Sequence, residues 1–383
     1  MLRRRPPGVR LAETLRFLAD EIEARRVGGL GEAQAAGYLA GRLGRAEQQT
    51  TILGFRSDAD PRWLLAALGG GIALALALPL ALPERRVVAL SALVVLVVLG
   101  LWLDEYLGGA VLRQVLGRRD SQSVVGVRAA SLAPRWRAVI VAPLDGAPPA
   151  PSPVMVRLVF AGLVLLLAVY GGLSWNVAWA WHIPAIGLSA AVLLGFVGIA
   201  WAQRMPVLAR HGTGELAALL GSAEEVGQLR QVEVWTVAAG GSVVGEAGLR
   251  KLLRQYPFDG TTVVINLHHI TNGAPVYVTR EGLLRLRRSP AQLLALAAHA
   301  DADDARINAE PRALPSRTLA QFWQRNGFAA ITLTSHHGVE AAPADVELAT
   351  VQRCVWLVVG MLRALDETSI DQMYNTGLSK EKI

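Results

Sequence analysis

Two tight pairs of uncharged apolar stretches divide this chain, and any fold must accommodate them. They run Trp63 to Leu82, Val87 to Leu103, Leu158 to Trp175 and Ile183 to Ala202. A helix crosses the hydrocarbon core of a bilayer with about 20 apolar residues, and each stretch reaches or approaches that length. "PERR" joins the first pair. "NVAWAWH" joins the second, where Trp175, Trp179 and Trp181 suit an interfacial aromatic belt. The chain is 52% hydrophobic with a mean hydropathy of +0.35, and the excess over a soluble enzyme sits in these stretches. Each pair is therefore expected to be a transmembrane helical hairpin. Even numbers of crossings return the chain to one side. Residues 1–62, 104–157 and 203–383 then build one domain, interrupted by hairpins at 63–103 and 158–202.

The side is set by arginine. Arg56, Arg62, Arg113, Arg118, Arg157, Arg204 and Arg210 flank the membrane ends on the domain side, against Arg85 and Arg86 in the short loops. The positive-inside rule then puts the domain and both termini in the cytoplasm. A single cysteine, Cys354, excludes an internal disulfide and fits a reducing compartment. The first thirty residues carry charge and no apolar core, unlike a secretory signal. The net charge of +7 comes with no zinc finger and no aromatic-studded RNA motif. Anionic lipid headgroups, rather than nucleic acid, are its expected partner.

Outside the apolar stretches, strands alternate with helices. "VRLAETLRFLADEIEARR", "GLGEAQAAGYLAGRLGRA", "HGTGELAALLGSAEEV", "GEAGLRKLLRQY", "PAQLLALAAHADADDA" and "TLAQFWQRNG" have helical apolar spacing. So does the final "DVELATVQRCVWLVVGMLRALDE", whose apolar run is too short to span a bilayer and is expected in the core. "QQTTILGF", "SQSVVGVRAAS", "RWRAVIVAPLDG", "QVEVWTVAAGG", "TTVVINLHHI" and "FAAITLTSHHG" read as strands, and "VYVTREGLLRLRR" as a strand or turn. The expected fold is α/β, a three-layer sandwich around a mixed, mostly parallel sheet. Several strands stop abruptly at polar groups, which is how such a sheet presents chemistry at its carboxyl edge. These groups are Asp145, Gly240 with Gly241, His268 with His269, and His336 with His337. Adjacent residues on a strand alternate faces, so at most one histidine of each pair is expected to face the site.

The order and texture of these elements resemble the co-catalytic di-zinc aminopeptidases, metallopeptidase family twenty-eight, whose relatives include nicalin and transferrin-receptor ectodomains. "SVVGVRAASLAPRWRAVIVAPLDG", "VEVWTVAAGGSVVGEAGLRKLL", "VVINLHHI" and "FAAITLTSHHGVEAAPADVELATVQRC" carry the resemblance over most of the chain outside the apolar stretches. It implies two zinc ions bridged by a carboxylate and a water, with a glutamate taking the proton. The residues that this chemistry needs are altered here. The His-x-Asp motif reads Pro143-Leu144-Asp145. The bridging aspartate falls at Arg210 or His211. The glutamate pair, base and ligand, reads Gly240-Gly241. The aspartate of Asn-Leu-Asp is His268, the final histidine is His336 or His337, and a Ser-Asp-His stretch reads Ser316-Arg317-Thr318. Glu246, near the old base in sequence, is expected on a helix face.

The resemblance therefore implies a membrane-embedded, nicalin-like pseudopeptidase, without catalytic residues, acting as a scaffold, binding or regulatory subunit beside other membrane proteins. A hydrolase with a rebuilt single-zinc site from His268, His336, His337 and Asp145 is the alternative, and a lipid- or peptide-binding protein is a third. In the first and third no cofactor is expected.

Overall fold

The computed structural model describes residues 7–58, 93, 97, 118–146, 212–242, 246–282, 286–336 and 346–368. The four apolar stretches, with the transmembrane expectation that rests on them, lie outside the described residues, but for two isolated helical positions, Leu93 and Val97. The chain divides into two compact units, one of residues 1–57, 119–149 and 207–383, the other of residues 58–118 and 150–206.

The first unit is built on a nine-stranded mixed sheet. The strands are β1 (Gln49–Asp58), β2 (Arg118–Arg128), β3 (Trp136–Pro143), β4 (Val232–Ala239), β5 (Thr262–Leu267), β6 (Pro275–Glu281), β7 (Arg287–Arg288), β8 (Glu310–Leu314) and β9 (Ala329–Ser335). They lie in the order β1-β2-β4-β3-β5-β9-β6-β7, with β8 paired to β6. The four central strands β4, β3, β5 and β9 are parallel, while β2 and β6 run antiparallel to their neighbours β4 and β9. These central strands are buried on both sides, so they read as continuous Val, Ile and Ala runs.

Period-two alternation sorts those runs into two cores. Ala138, Ile140, Ala142, Val263 and Ile265 face one side. There they meet α1 (Pro7–Arg16), α2 (Leu30–Arg45), α3 (Thr213–Glu225), α5 (Ala291–Asp303) and α7 (Leu348–Glu367). Val139, Val141, Val237 and Val264 face the other side, under α4 (Ala247–Gln255) and α6 (Leu319–Arg325). Trp323, Phe258, Phe328 and Trp235 close that second core through edge-to-face contacts, with Phe258 and Trp323 centroids 5.5 Å apart. Helices on both faces of one mixed sheet make the three layers that the alternation of elements implies.

Two features depart from the sequence reading. The first helix stops early: α1 ends at Arg16, a π turn follows over Phe17–Glu21, and the backbone is extended at Ile22. That break lets Arg25 turn inward, where it is 1% exposed. Strand β8 was not anticipated, because "EPRAL" is short, mostly exposed and contains proline, which a strand tolerates at an edge. Helix α7 lies within the helix expected over residues 345–367. At 20 residues with a mean hydropathy of 1.4 it is, among the described residues, the one helix long and apolar enough to cross a membrane. It packs on α3 and α5, and Cys354, Val355, Val358, Met361 and Leu362 are buried, so here it is core, as expected of its apolar run.

Candidate functional site at the carboxyl edge

The parallel strands end side by side, and the sheet order sets out their last residues: Gly240 to Ser242 after β4, Leu144 and Asp145 after β3, His268 and His269 after β5, His336 after β9. Backbone bonds continue the ladder past the strand ends, from Leu144 N to Ala239 O at 2.8 Å and from His268 N to Leu333 O at 2.9 Å. Asp145, Gly240, Gly241, His268 and His336 therefore follow strand ends on one edge.

At its centre is a buried charge cluster. The Asp145 carboxylate, 1% exposed, accepts hydrogen bonds from Ser242, from the backbone N at 3.1 Å and from Oγ. The Arg25 guanidinium donates from Nε to Leu144 O at 3.2 Å and from Nη1 to Leu18 O at 3.3 Å. Burial pulls the Arg25 pKa down to about 10, against the opposing charges of Glu215 and Asp145. Glu215, in the first turn of α3, is 4% exposed, and its Oε1 accepts the His269 backbone N–H at 2.8 Å.

The histidines do not alternate as a strand would make them. Strand β5 ends at Leu267, and His269 takes a left-handed φ of 46°. The turn brings both rings to one place, 4.2 Å apart by centroid with 67° between planes. Burial lowers the pKa of each, that of His268 well below the usual imidazole value, with His269 adding to the effect. His268 Nε2 is closed to solvent and has no hydrogen-bond partner.

Gly240 and Gly241 are where the resemblance implies two glutamates, and neither position has room. A β-carbon on Gly240 would stand 2.0 Å from Gln122 O and 2.6 Å from a Glu32 carboxylate oxygen. Gly241 has φ +57°, and a β-carbon there would meet Ser57 Oγ at 2.7 Å. The space at Gly240 is taken by Glu32, from the first turn of α2. Its Oε1 accepts from Ser121 Oγ at 2.7 Å and its Oε2 from Gly28 N at 2.5 Å. Burial pushes its pKa up to about 7, against the lowering effect of those hydrogen bonds.

Other expected residues are held elsewhere. The His336 ring turns toward β8, with Nδ1 at 3.2 Å from Glu310 Oε2, a carboxylate that Arg312 also pairs. Glu246 is not a helix-face residue: it precedes α4 with a left-handed φ of 57°, is 2% exposed, and pairs with Arg317 at 2.9 Å and Arg325 at 3.1 Å. Arg317, the altered centre of the Ser-Asp-His stretch, thus neutralises the carboxylate nearest in sequence to the missing pair. His337, Arg210 and His211 lie outside the described residues. A groove of about 970 Å³ opens at the opposite end of the sheet, among Arg42, Arg128 and Glu224. There Arg42 pairs with Glu224 at 2.6 Å and Arg128 donates to backbone carbonyls.

Arg25, Glu32 and Glu215 were missed by sequence reasoning. Glu32 had a signal: it sits in phase with Ala35, Ala36, Leu39 and Leu43, all buried on the apolar stripe of α2. A carboxylate on that stripe must find partners inside.

No family model and no curated protein matches the sequence. Solved structures do. A zinc aminopeptidase from Bacillus subtilis aligns over 95% of this chain and 96% of its own, with a TM-score of 0.55 and 9% identity. An aminopeptidase from Aneurinibacillus sp. strain AM-1 aligns over 93% of each chain, with a TM-score of 0.53 and 10% identity. A glutaminyl cyclase from Bacteroides thetaiotaomicron, solved with N-acetylhistamine, aligns over 93% and 96%, with a TM-score of 0.52 and 11% identity. The fold is therefore that of the zinc aminopeptidases and their structural neighbours, as the element order implied. At this identity the likeness extends to the fold alone.

Such neighbours raise the question of zinc, and the described residues, which exclude His337, Arg210 and His211, do not supply a set for a pair of ions. Among the described residues no group of three or more His, Cys, Asp or Glu side chains is gathered to hold a metal. The charges of Asp145 and Glu215 act on the Arg25 guanidinium, and the backbone at Gly240 leaves no space for a further side chain.

Proposed function

We propose that this chain is a membrane-anchored protein on an aminopeptidase-like fold whose carboxyl edge binds rather than hydrolyses, a nicalin-like scaffold or regulatory subunit of a membrane complex. The observation that carries this reading is the packing at Gly240, where the backbone presses on Gln122 O and Glu32 fills the side-chain space. A glutamate taking a proton from a metal-bound water contributes about 10²–10⁴-fold to rate, and this edge has no place for one at that position. Membrane anchoring rests on the four apolar stretches and on connectivity. Ser57, the start of β2, Gly146 and Gly212 all lie at the carboxyl edge, so both apolar segments join the chain there.

A second reading, a hydrolase with one rebuilt zinc site, is favoured by His268 Nε2, a buried ring nitrogen without a partner. Zinc content separates the two. The full chain, purified in detergent, exposed to excess zinc and desalted, is assayed by elemental mass spectrometry and for release of amino acids from chromogenic aminoacyl anilides. The binding reading expects zinc far below stoichiometric and no turnover. Stoichiometric zinc that drops on His268→Ala, with turnover, would replace it with the hydrolase.

A further inference from the structure

Strand β6 changes partner part-way along. It pairs with β9 from Pro275 to Tyr277 and with β7 at Arg280 and Glu281, while β8 lines its other side. Pro275 faces Ser335 at the carboxyl edge, and Arg280 lies about 16 Å down the strand from it, at about 3.3 Å per residue. The change of partner sets Arg280 directly opposite Arg288 on β7 and Ala313 on β8, with Arg287 and Arg312 next along those strands. We propose that these arginines, with Leu286 beside them, are a docking surface for an acidic segment of another protein that carries one bulky apolar residue.

The charge is held in place rather than scattered. Ser289, 2% exposed, donates from N to Thr279 O at 2.9 Å and from Oγ to Val278 O at 2.6 Å, which pins β7 to β6. The carboxylate nearest in register does not serve the arginines. Glu281 stands opposite Arg287, but it is fully buried and bonded to Thr318, Thr332 and Gln324. Arg312 reaches Glu310 at 3.1 Å. Arg280, Arg287 and Arg288 are exposed and have no hydrogen-bond or ion-pair partner among the described residues. Like charges directly opposite on neighbouring strands are destabilising. A pair fixed in that way gains from carboxylates laid across it, which a guanidinium can bind in a two-pronged geometry.

The kind of occupant follows from the apolar part of the surface. Leu286, which precedes Arg287, is 43% exposed, and Pro311 and Ala313 are exposed on β8. That is too little apolar area to enter a bilayer, and a phosphate backbone has no use for it. It fits one side chain of a protein segment, an apolar anchor ringed by arginines. The segment is held by side chains rather than as an added strand. Gly282 N donates to Leu314 O at 3.2 Å, so Leu314 and, by alternation, Arg312 turn their backbone toward β6. Pro311 and Ala313 then turn theirs outward, and Pro311 has no N–H to offer a strand laid against this edge.

This goes beyond the reading of the carboxyl edge and stands or falls without it. The full-length protein in detergent at low salt is titrated into a fluorescein-labelled peptide of four glutamates around one leucine, read by anisotropy. A thymidine oligonucleotide of equal charge and phosphatidylserine in mixed micelles compete as other sources of anion. Arg280→Ser/Arg288→Ser is expected to weaken peptide binding about tenfold, and Leu286→Ser about threefold. Lys251→Ser/Arg254→Ser removes the same charge from the exposed side of α4 and is expected to leave binding unchanged. Arg280→Ser/Arg288→Ser is also expected to melt no lower than wild type. Should that double variant not fold, Arg288→Ser alone carries the test. Absence of peptide binding, or an equal loss in the α4 variant, overturns the inference. So does tighter binding of the oligonucleotide or of phosphatidylserine that the same arginines govern. None of these results bears on zinc at the carboxyl edge, and zinc uptake there bears on none of them.

Discussion

A Glu32 carboxylate oxygen lies 2.6 Å from the point where a β-carbon on Gly240 would stand. The helix that carries Glu32 and the strand that ends at Gly240 have therefore closed on each other through the space of a missing side chain. Ser121 Oγ and the Gly28 N–H fix the carboxylate there, and Ser123 Oγ accepts the Gly240 N–H at 3.0 Å. The glycine and the carboxylate are one packing unit.

Restoring a glutamate at this position is thus expected to fail. Gly240→Glu must displace both Gln122 O and Glu32, and Gly240→Ala already meets the carbonyl at 2.0 Å. Overpacking costs about 1–3 kcal/mol in ordinary cores, and backbone on one side puts both variants at or above that range. Chemical denaturation of each against wild type measures the loss, and Gly240→Glu is expected to gain no peptidase turnover.

Glu32 should also give the fold a pH dependence. Its folded pKa, about 7, lies above the ordinary 4.5, so the folded state holds its proton more tightly than the unfolded chain. The stability this confers is fully present below about 4.5 and is lost as pH rises to about 7. Glu32→Gln keeps the shape without the charge. Relative to wild type it is expected to gain stability progressively over that window, levelling off above it at an advantage on the order of 2–3 kcal/mol. Unfolding of both proteins at a series of pH values checks the sign.

A second buried carboxylate anchors the far side of the sheet. Glu281 is fully buried and accepts from Thr318 Oγ1 at 2.7 Å, Thr332 Oγ1 at 2.6 Å and Gln324 Nε2 at 3.0 Å. Asn266 joins the network through Thr332 at 3.1 Å. Glu281→Ala leaves these donors without their acceptor, for an expected loss of about 2–4 kcal/mol, since each buried orphan costs about 1–3 kcal/mol. Glu281→Gln retains an acceptor and should cost less. Burial raises the Glu281 pKa, so the Gln variant is expected to compare best above the ordinary carboxylate range, in urea titrations at neutral pH.

Trp323 is fully buried and touches both Phe258 and Phe328. Trp323→Ala should remove about 3–5 kcal/mol, seen as an earlier denaturation midpoint. The carboxyl edge lies outside this aromatic cluster, so the low zinc content expected of wild type should persist in any fraction that remains folded.

The strands were legible because central parallel strands are apolar on both faces and stop where the sheet stops. "TVVINL" announces its own length. The edge was legible for the same reason, since Asp145, Gly240 and His268 each follow such a run. What lay beyond the strand ends was not. The pairing of the His268 and His269 rings depends on one left-handed φ at His269, which no periodicity encodes. The departure of His336 depends on β8, a strand held by β6 from outside the main order, whose partner Val276 is adjacent to Glu310 in register. Arg25 was hidden by the helical spacing of its neighbours, which suggested a helix running past it. Its burial is decided by carbonyls far away in sequence.

Strand β3 lies between β4 and β5, and both neighbours are encoded after residues 158–202. A ribosome delivers chain from the N-terminus, so β3 emerges with neither partner yet made. It must wait through the synthesis of the second apolar segment with both hydrogen-bonding edges bare. Its second edge is covered only when Thr262–Leu267 has arrived, and unpaired strand edges are templates for wrong partners. The order of synthesis thus gives the apolar segments first claim on the nascent chain and makes assembly of the sheet a late event.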